Sequence, residues 1–356
     1  MTKRITIYEV AKEAGVSPKT VSKVINNKDG VKLETRAKIQ EIVKKLGYHP
    51  NIFARSLRAN VPACVGVTFP APIDIIPFSS RFFMWLFYEL YKIFGKQGDY
   101  VCFDFMPYES LEQRNYARGV FDKLFKSCVL VGPLSLDDTT VVKIHQTGVP
   151  YVAFGRLGSF PDVSHATVDY EEASYLSTKF LIEKGHKKIG LLQGFEGYYP
   201  GAERILGYRR ALEEHGIPYD SNLVQSVRFN YDSLYRKAYY LLANSEITAI
   251  IDSSGNEDPM ALREASKSAG REMGKDVEVV IWTYEEKKVI LKEASAHVWL
   301  PVRESASQGL EELNKWIKGE REGPIRILYR PRVDIERRDV NVELGMEDRL
   351  FYRDVL

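Results

Sequence analysis

Cysteine is scarce in this sequence: Cys64, Cys102 and Cys128 lie far apart along 356 residues, with no CxxC pair. That spacing argues against a structural zinc and a disulfide framework, and predicts buried, reduced thiols. Long apolar runs are missing too. No stretch approaches the ~20 residues a membrane helix needs, and the opening run MTKRITIYEVAKEAG mixes charges among its apolar residues, unlike a secretory signal. The expectation is a cytoplasmic protein with no membrane partner. Enzyme signatures are equally wanting: there is no GxSxG, Walker loop, HExxH or strand-linked GxGxxG, and the six histidines are scattered singly. His145, His186 and His215 read as surface or cap residues, so neither catalysis nor a cofactor or metal is expected.

A dominant charge is also lacking, the net value being only +2. Its distribution is informative. Residues 1–60 hold 13 Lys and Arg against 5 Asp and Glu, net +8, while the rest holds 37 against 43, net −6. A basic head on an acidic body suggests a polyanion at one end only. The chain is long enough for two or three compact units, each with its own core.

In the head, Ile7, Val10, Ala11 and Ala14 form one helical stripe, stopped by Gly15. Ser17 stands as N-cap before Pro18, and Val21, Val24 and Ile25 supply a second stripe. A third stripe, Ile39, Ile42, Val43 and Leu46, ends at Gly47. Three short helices with so tight a first turn make a helix-turn-helix. With its apolar face occupied, the second helix projects Lys19 and Lys23 together from the opposite face. Beside Pro18 at the helix start, they are the candidates for base edges in the major groove; Ser17, Thr20, Ser22 and Asn26 are the candidates for phosphate contacts. Asn51 can cap a further helix running to about Arg58. Alone it would be too short to persist in water, so it should order only beside a second copy and DNA.

From Ala63 onward, short β-rich runs alternate with amphipathic stretches, the pattern of parallel α/β sheets. Two sheets of about six strands each account for the length, and the tract from Val163 to Thr167 reads as the crossing between them.

The run from Ile7 to Asn26, and Gly47-Tyr48-His49-Pro50-Asn51-Ile52-Phe53-Ala54-Arg55-Ser56-Leu57, closely resemble the lactose repressor (LacI/GalR) family. Segments of the body, such as Val149 to Arg156 and Gly207 to Ile217, resemble it at lower specificity. The resemblance implies an all-α helix-turn-helix head (1–48), a hinge (49–60) and a body (61–340) of two Rossmann-like subdomains of periplasmic-binding-protein type. One would span about 61–165 plus 296–324 and the other about 166–295 plus 325–340, followed by a tail (341–356). It also implies that Leu57 of each of two subunits wedges into the minor groove beside Ala54, with Asn51 and Arg55 in the same contact.

The implied function is a dimeric transcription regulator, commonly a repressor, on a palindromic double-stranded DNA operator, with a sugar-like effector in the cleft between subdomains. Arg204 matches the family arginine that grips effector hydroxyls or carboxylates; Phe82, Phe83, Phe229 and Thr283 fall at other effector positions. The sequence departs from the family at Lys23, often Arg; at Lys32, usually a capping Ser; and at Gly155 and Thr283, where acids are common. A protein corepressor and a solute-binding protein without DNA function are the alternatives. The tail shows no leucine heptad, so the dimer should be made by the body.

Overall fold

The computed structural model describes residues 5–49, 62, 64–71, 81–105, 116–136, 138–158, 160, 162–194, 197–228, 230–244, 246–255, 259–284 and 291–335. The hinge residues Asn51, Ala54, Arg55 and Leu57, the aromatic Phe229 and the tail 341–356 lie outside them. The chain divides into two compact units, 1–63 and 64–356.

The first unit holds α1 (Ile7–Ala14), α2 (Pro18–Ile25) and α3 (Leu33–Leu46). All three expected stripes turn inward, burying Val10, Ala11, Ala14, Val21, Val24, Ile39 and Ile42 in one cluster. Each helix end has its own chemistry. The Thr6 amide donates to the Glu9 carboxylate at 2.7 Å, closing the start of α1, and Gly15 ends it in the left-handed region at φ 70°. Ser17 then caps α2, its Oγ accepting the Thr20 amide at 3.1 Å.

The second unit runs β1 (Cys64–Phe69), α4 (Arg81–Ile93), β2 (Tyr100–Phe105), α5 (Arg118–Phe121), β3 (Phe125–Leu130), α6 (Thr140–Gln146), β4 (Tyr151–Ala153), β5 (His165–Val168), α7 (Tyr170–Glu183) and β6 (Ile189–Gln193). It continues through α8 (Tyr199–Glu214), β7 (Val224–Ser226), α9 (Tyr231–Leu242), β8 (Ala249–Ser253), α10 (Met260–Ser268), β9 (Glu278–Thr283), β10 (Ala296–Trp299), α11 (Val302–Ile317), β11 (Arg326–Tyr329) and β12 (Arg332–Ile335). Two six-stranded sheets result, ordered β11-β5-β4-β3-β1-β2 and β12-β10-β9-β8-β6-β7. Central strands such as β1 and β6 are buried along their whole length, which is why they read as unbroken apolar runs.

The crossings between sheets differ from expectation by about one strand each. The tract Val163 to Thr167 is not a crossing: His165–Val168 is a strand of the first sheet, paired with β11, and the chain passes over only after Val168. Ala296–Trp299 belongs to the second sheet beside β9, so residues 296–299 leave the first subdomain, and the return follows Leu300. Arg326–Tyr329 stays in the first sheet, and the last passage lies between Tyr329 and Arg332. Backbone pairing decides these points: the His165 amide donates to the Ile325 carbonyl at 2.7 Å, and the Asp169 amide to the Tyr329 carbonyl at 2.9 Å. The second sheet is also not wholly parallel, since β12 runs antiparallel to β10.

Cys64 and Cys102, distant in sequence, meet on neighbouring strands, and the Cys128 thiol lies 3.3 Å from the Thr68 hydroxyl. All three cysteines are free. Burial, reinforced by the adjacent Cys102, pushes the Cys64 thiol up to about 12, and burial does the same to Cys128, which leaves both poor nucleophiles at neutral pH.

Helices α7 and α8 approach so closely that a Cβ on Gly207 would stand 1.9 Å from the Glu171 carbonyl oxygen. Gly207→Ala should therefore force the helices apart and cost about 1–3 kcal/mol, measured by denaturant unfolding. Unchanged stability would mean the two helices do not pack this tightly.

Candidate DNA reader and effector cleft

On α2 the inward face is filled by Val21 and Val24, and the outward face carries Lys19, exposed, and Lys23, half-buried. The Lys23 ammonium lies 3.5 Å from where a Gly30 Cβ would stand, so its stem folds toward the loop after α2. The hydroxyls expected to meet phosphate are engaged locally. Ser17 and Thr20 are 2.9 Å apart, and the Asn26 side chain donates to the Ser22 carbonyl at 2.7 Å, with the Ser22 hydroxyl 3.2 Å away. Each hydroxyl keeps capacity for a further bond, and these contacts fix its direction.

In the second unit Arg204 sits in the second turn of α8 with no exposure to water. Its Cζ is 4.8 Å from the centroid of the Tyr170 ring and 5.1 Å from that of Trp282. Those two rings are near-parallel, 14° apart at 6.3 Å. Trp282 is held in place by its own N–H, which donates to the Ser177 hydroxyl at 3.0 Å. Neither aromatic is singled out by the sequence pattern. Thr283, next along, is buried at the carboxyl end of β9.

Phe82 and Phe83 part company. Phe83 is a core residue, 3% exposed, between Phe69 and Phe87. Phe82 is half-buried and meets Phe154, just beyond β4, edge-on at 6.5 Å. Phe82 therefore lies near the carboxyl end of β4, and Phe83 packs beneath. Tyr198, the residue before α8, packs against the core of the first sheet.

Residues 204 and 156 are also joined through a neighbour. Arg156, in the loop after β4, donates its Nε to Glu203 at 2.5 Å and its Nη2 to Asp169 at 3.4 Å. Burial pushes the Glu203 carboxyl above its usual range, and the Arg156 charge pulls it back. At the carboxyl ends of β6 and β8, Gln193 and Asp252 are buried polar side chains; the Gln193 amide donates to the Ser226 hydroxyl at 2.8 Å, and Asp252 accepts the Ser254 amide at 3.0 Å. Among the described residues, no group of three or more His, Cys, Asp or Glu could hold a metal ion, and no helix is long and apolar enough to cross a membrane.

Residues 6–51 match the family model for bacterial regulatory proteins of the lacI family, and residues 109–290 match that for periplasmic binding proteins and the sugar binding domain of the LacI family. The chain belongs to the LacI family. Among curated relatives, catabolite control protein A of Priestia megaterium is 26% identical over 89% of this chain and 93% of its own length. The HTH-type transcriptional regulator CelR of Thermobifida fusca is 31% identical over 78% and 82%. The fold is that of the lac repressor dimer bound to operator and an anti-inducer, with a TM-score of 0.74 at 19% identity over 94% of this chain and 98% of that one. LacI-family membership makes the chain a DNA-binding transcription regulator.

The family departure at Lys32 leaves the start of α3 without a side-chain cap. Arg36 secures the same turn from inside the helix. It donates to the Asn27 side chain at 2.9 Å and to the Lys28 carbonyl at 2.6 Å, holding the α2–α3 loop where Asn27 takes a left-handed φ of 52°. Arg36→Ala should cost the head about 1 kcal/mol and lower its melting transition, read by circular dichroism on the full chain. Lys32→Ser should recover part of that loss by restoring a cap.

Proposed function

We propose that this regulator works as a homodimer in the cytoplasm, placing two copies of α2 in successive major grooves of a near-palindromic operator. The carrying observation is the α2 surface: a Ser17-capped helix whose buried face leaves Lys19 and Lys23 as its outward cations. Pro18 would sit at the base edges with the lysines, and Ser17, Thr20, Ser22 and Asn26 along the phosphates. Residues Asn51, Ala54, Arg55 and Leu57 would complete the grip in the minor groove. Repression is the outcome such a grip favours. Support for the dimer comes from exposed aromatic side chains on the body: Tyr88 and Tyr91 on α4 and Phe103 on the edge strand β2, which packs against Phe87 of α4, are all at least 45% exposed. An unpaired edge strand carrying so much aromatic area is suited to burial against a second copy.

The effector reading is a sugar-like molecule bound between the carboxyl edges of the two sheets. Phe82 offers an apolar ring face there, and Arg204, Thr283 and Phe229 are the assigned contacts on the other side. The guanidinium of Arg204 gives a planar fork for hydroxyls or a carboxylate. Control by a protein corepressor is the second reading, favoured by the absence of the family acids at Gly155 and Thr283.

Selection from a random oligonucleotide pool should return a two-fold symmetric site; an unenriched pool would end the operator reading. On that site Lys19→Ala and Lys23→Ala should each cost about 1–3 kcal/mol and relax base preference, whereas equal losses on random DNA would reassign both to phosphate. In a thermal-shift screen of sugars, sugar acids and nucleosides, a ligand at a hundredfold excess over its Kd should add about 2.7 kcal/mol of stability. Arg204→Ala, checked for folding, should abolish that gain. No shift from any compound would favour the corepressor.

A further inference from the structure

The two sheets of the body are joined through α8 as well as through their crossing strands. The first turn of α8 is fastened to the loop after β3: the Tyr199 amide donates to the Leu134 carbonyl at 2.9 Å, and Leu136 to the Gly197 carbonyl at 3.4 Å. Ser135 and Tyr198 form an antiparallel bridge at the same place. Gly158, in the loop after β4, leaves room for the Tyr199 ring, which a Cβ there would approach to 3.1 Å. One turn further along α8, Glu203 receives Arg156 from the first subdomain.

These contacts are not equivalent. The backbone pairs are short-range and neutral, so they persist only while something holds the two surfaces in register. The Arg156–Glu203 pair supplies a longer-range attraction, and its setting makes it effective. Glu203 is 6% exposed, and Arg156 also meets Asp169, which caps α7 through the Glu172 amide at 3.1 Å. Arg156 thus touches both the passage from the first sheet to the second and the helix that carries Arg204. A charge pair largely out of water is screened little by salt, and breaking it leaves a desolvated charge behind.

We propose that Arg156 and Glu203 form an ionic latch that holds the two subdomains closed on the α8 side, with its release permitting the cleft to open. The latch adjoins Arg204 in sequence, so a molecule that draws on Arg204 acts on the same turn of α8 that the latch fixes. This regulatory part rests on the effector reading above; the latch itself does not. Its differential effect on open and closed arrangements is what a ligand would have to match or overcome.

The test needs neither operator nor effector. Hydrogen exchange on the full chain reports the Tyr199 and Leu136 amides, whose acceptors lie across the cleft, against amides of β6, whose partners lie within one sheet. Glu203→Gln should raise exchange at Tyr199 and Leu136 by roughly tenfold and leave β6 unchanged. The swapped pair Arg156→Glu with Glu203→Arg should restore much of the protection. Unchanged exchange at Tyr199 and Leu136 in Glu203→Gln overturns the latch. If Glu203→Gln speeds exchange everywhere, the swapped pair decides: recovery at Tyr199 and Leu136 upholds the proposal, and no recovery there overturns it. Failure of the operator selection would leave this result untouched, so the two readings fall separately.

Discussion

A guanidinium sealed from water governs the second half of the body. Removing a cation from solvent costs several kcal/mol, and Arg204 bears that cost inside a helix that packs on a sheet. The near-parallel rings of Tyr170 and Trp282 return part of it, each such contact being worth about 2 kcal/mol when desolvated. Around this arrangement the other features fall into place. Gly207 lets α8 close on α7, whose first residue is Tyr170; Ser177, two turns along α7, orients Trp282. The position expected to face an effector is thus also a packing centre, and any molecule that engages Arg204 acts on the helix pair as well.

The head is built on a different economy. Seven small and medium apolar side chains make its core, so helix ends matter more than they would in a larger unit. Ser17, Gly15, the Thr6–Glu9 closure and Arg36 each satisfy backbone or loop groups at a point where the chain turns. The reading surface of α2 follows from this: the caps set where the helix begins, and the beginning sets which side chains point outward. In the body, Glu203, paired with Arg156 from the loop after β4, and the buried Arg204 are neighbours in one turn of α8.

Residue patterns alone determined the head helices and the alternation of strands and helices in the body; Arg204 entered only through the family resemblance. Helical stripes, caps and strand runs are local properties, encoded within a few residues, and the long ordered motifs carry the family resemblance. The tertiary structure decided the rest. Strands as short as His165–Val168 and Ala296–Trp299 carry too few residues to declare which sheet they join, and backbone pairing with partners far along the chain assigns them. Phe82 and Phe83 are adjacent and alike in sequence, yet one lies near the carboxyl end of β4 and the other in the core, because a helix rotates neighbours by about 100°. Tyr170 and Trp282 around Arg204, and Arg156 opposite Glu203, are pairings between separate elements. Such pairings arise only when the sheets bring distant segments together, and no local pattern in the chain records them.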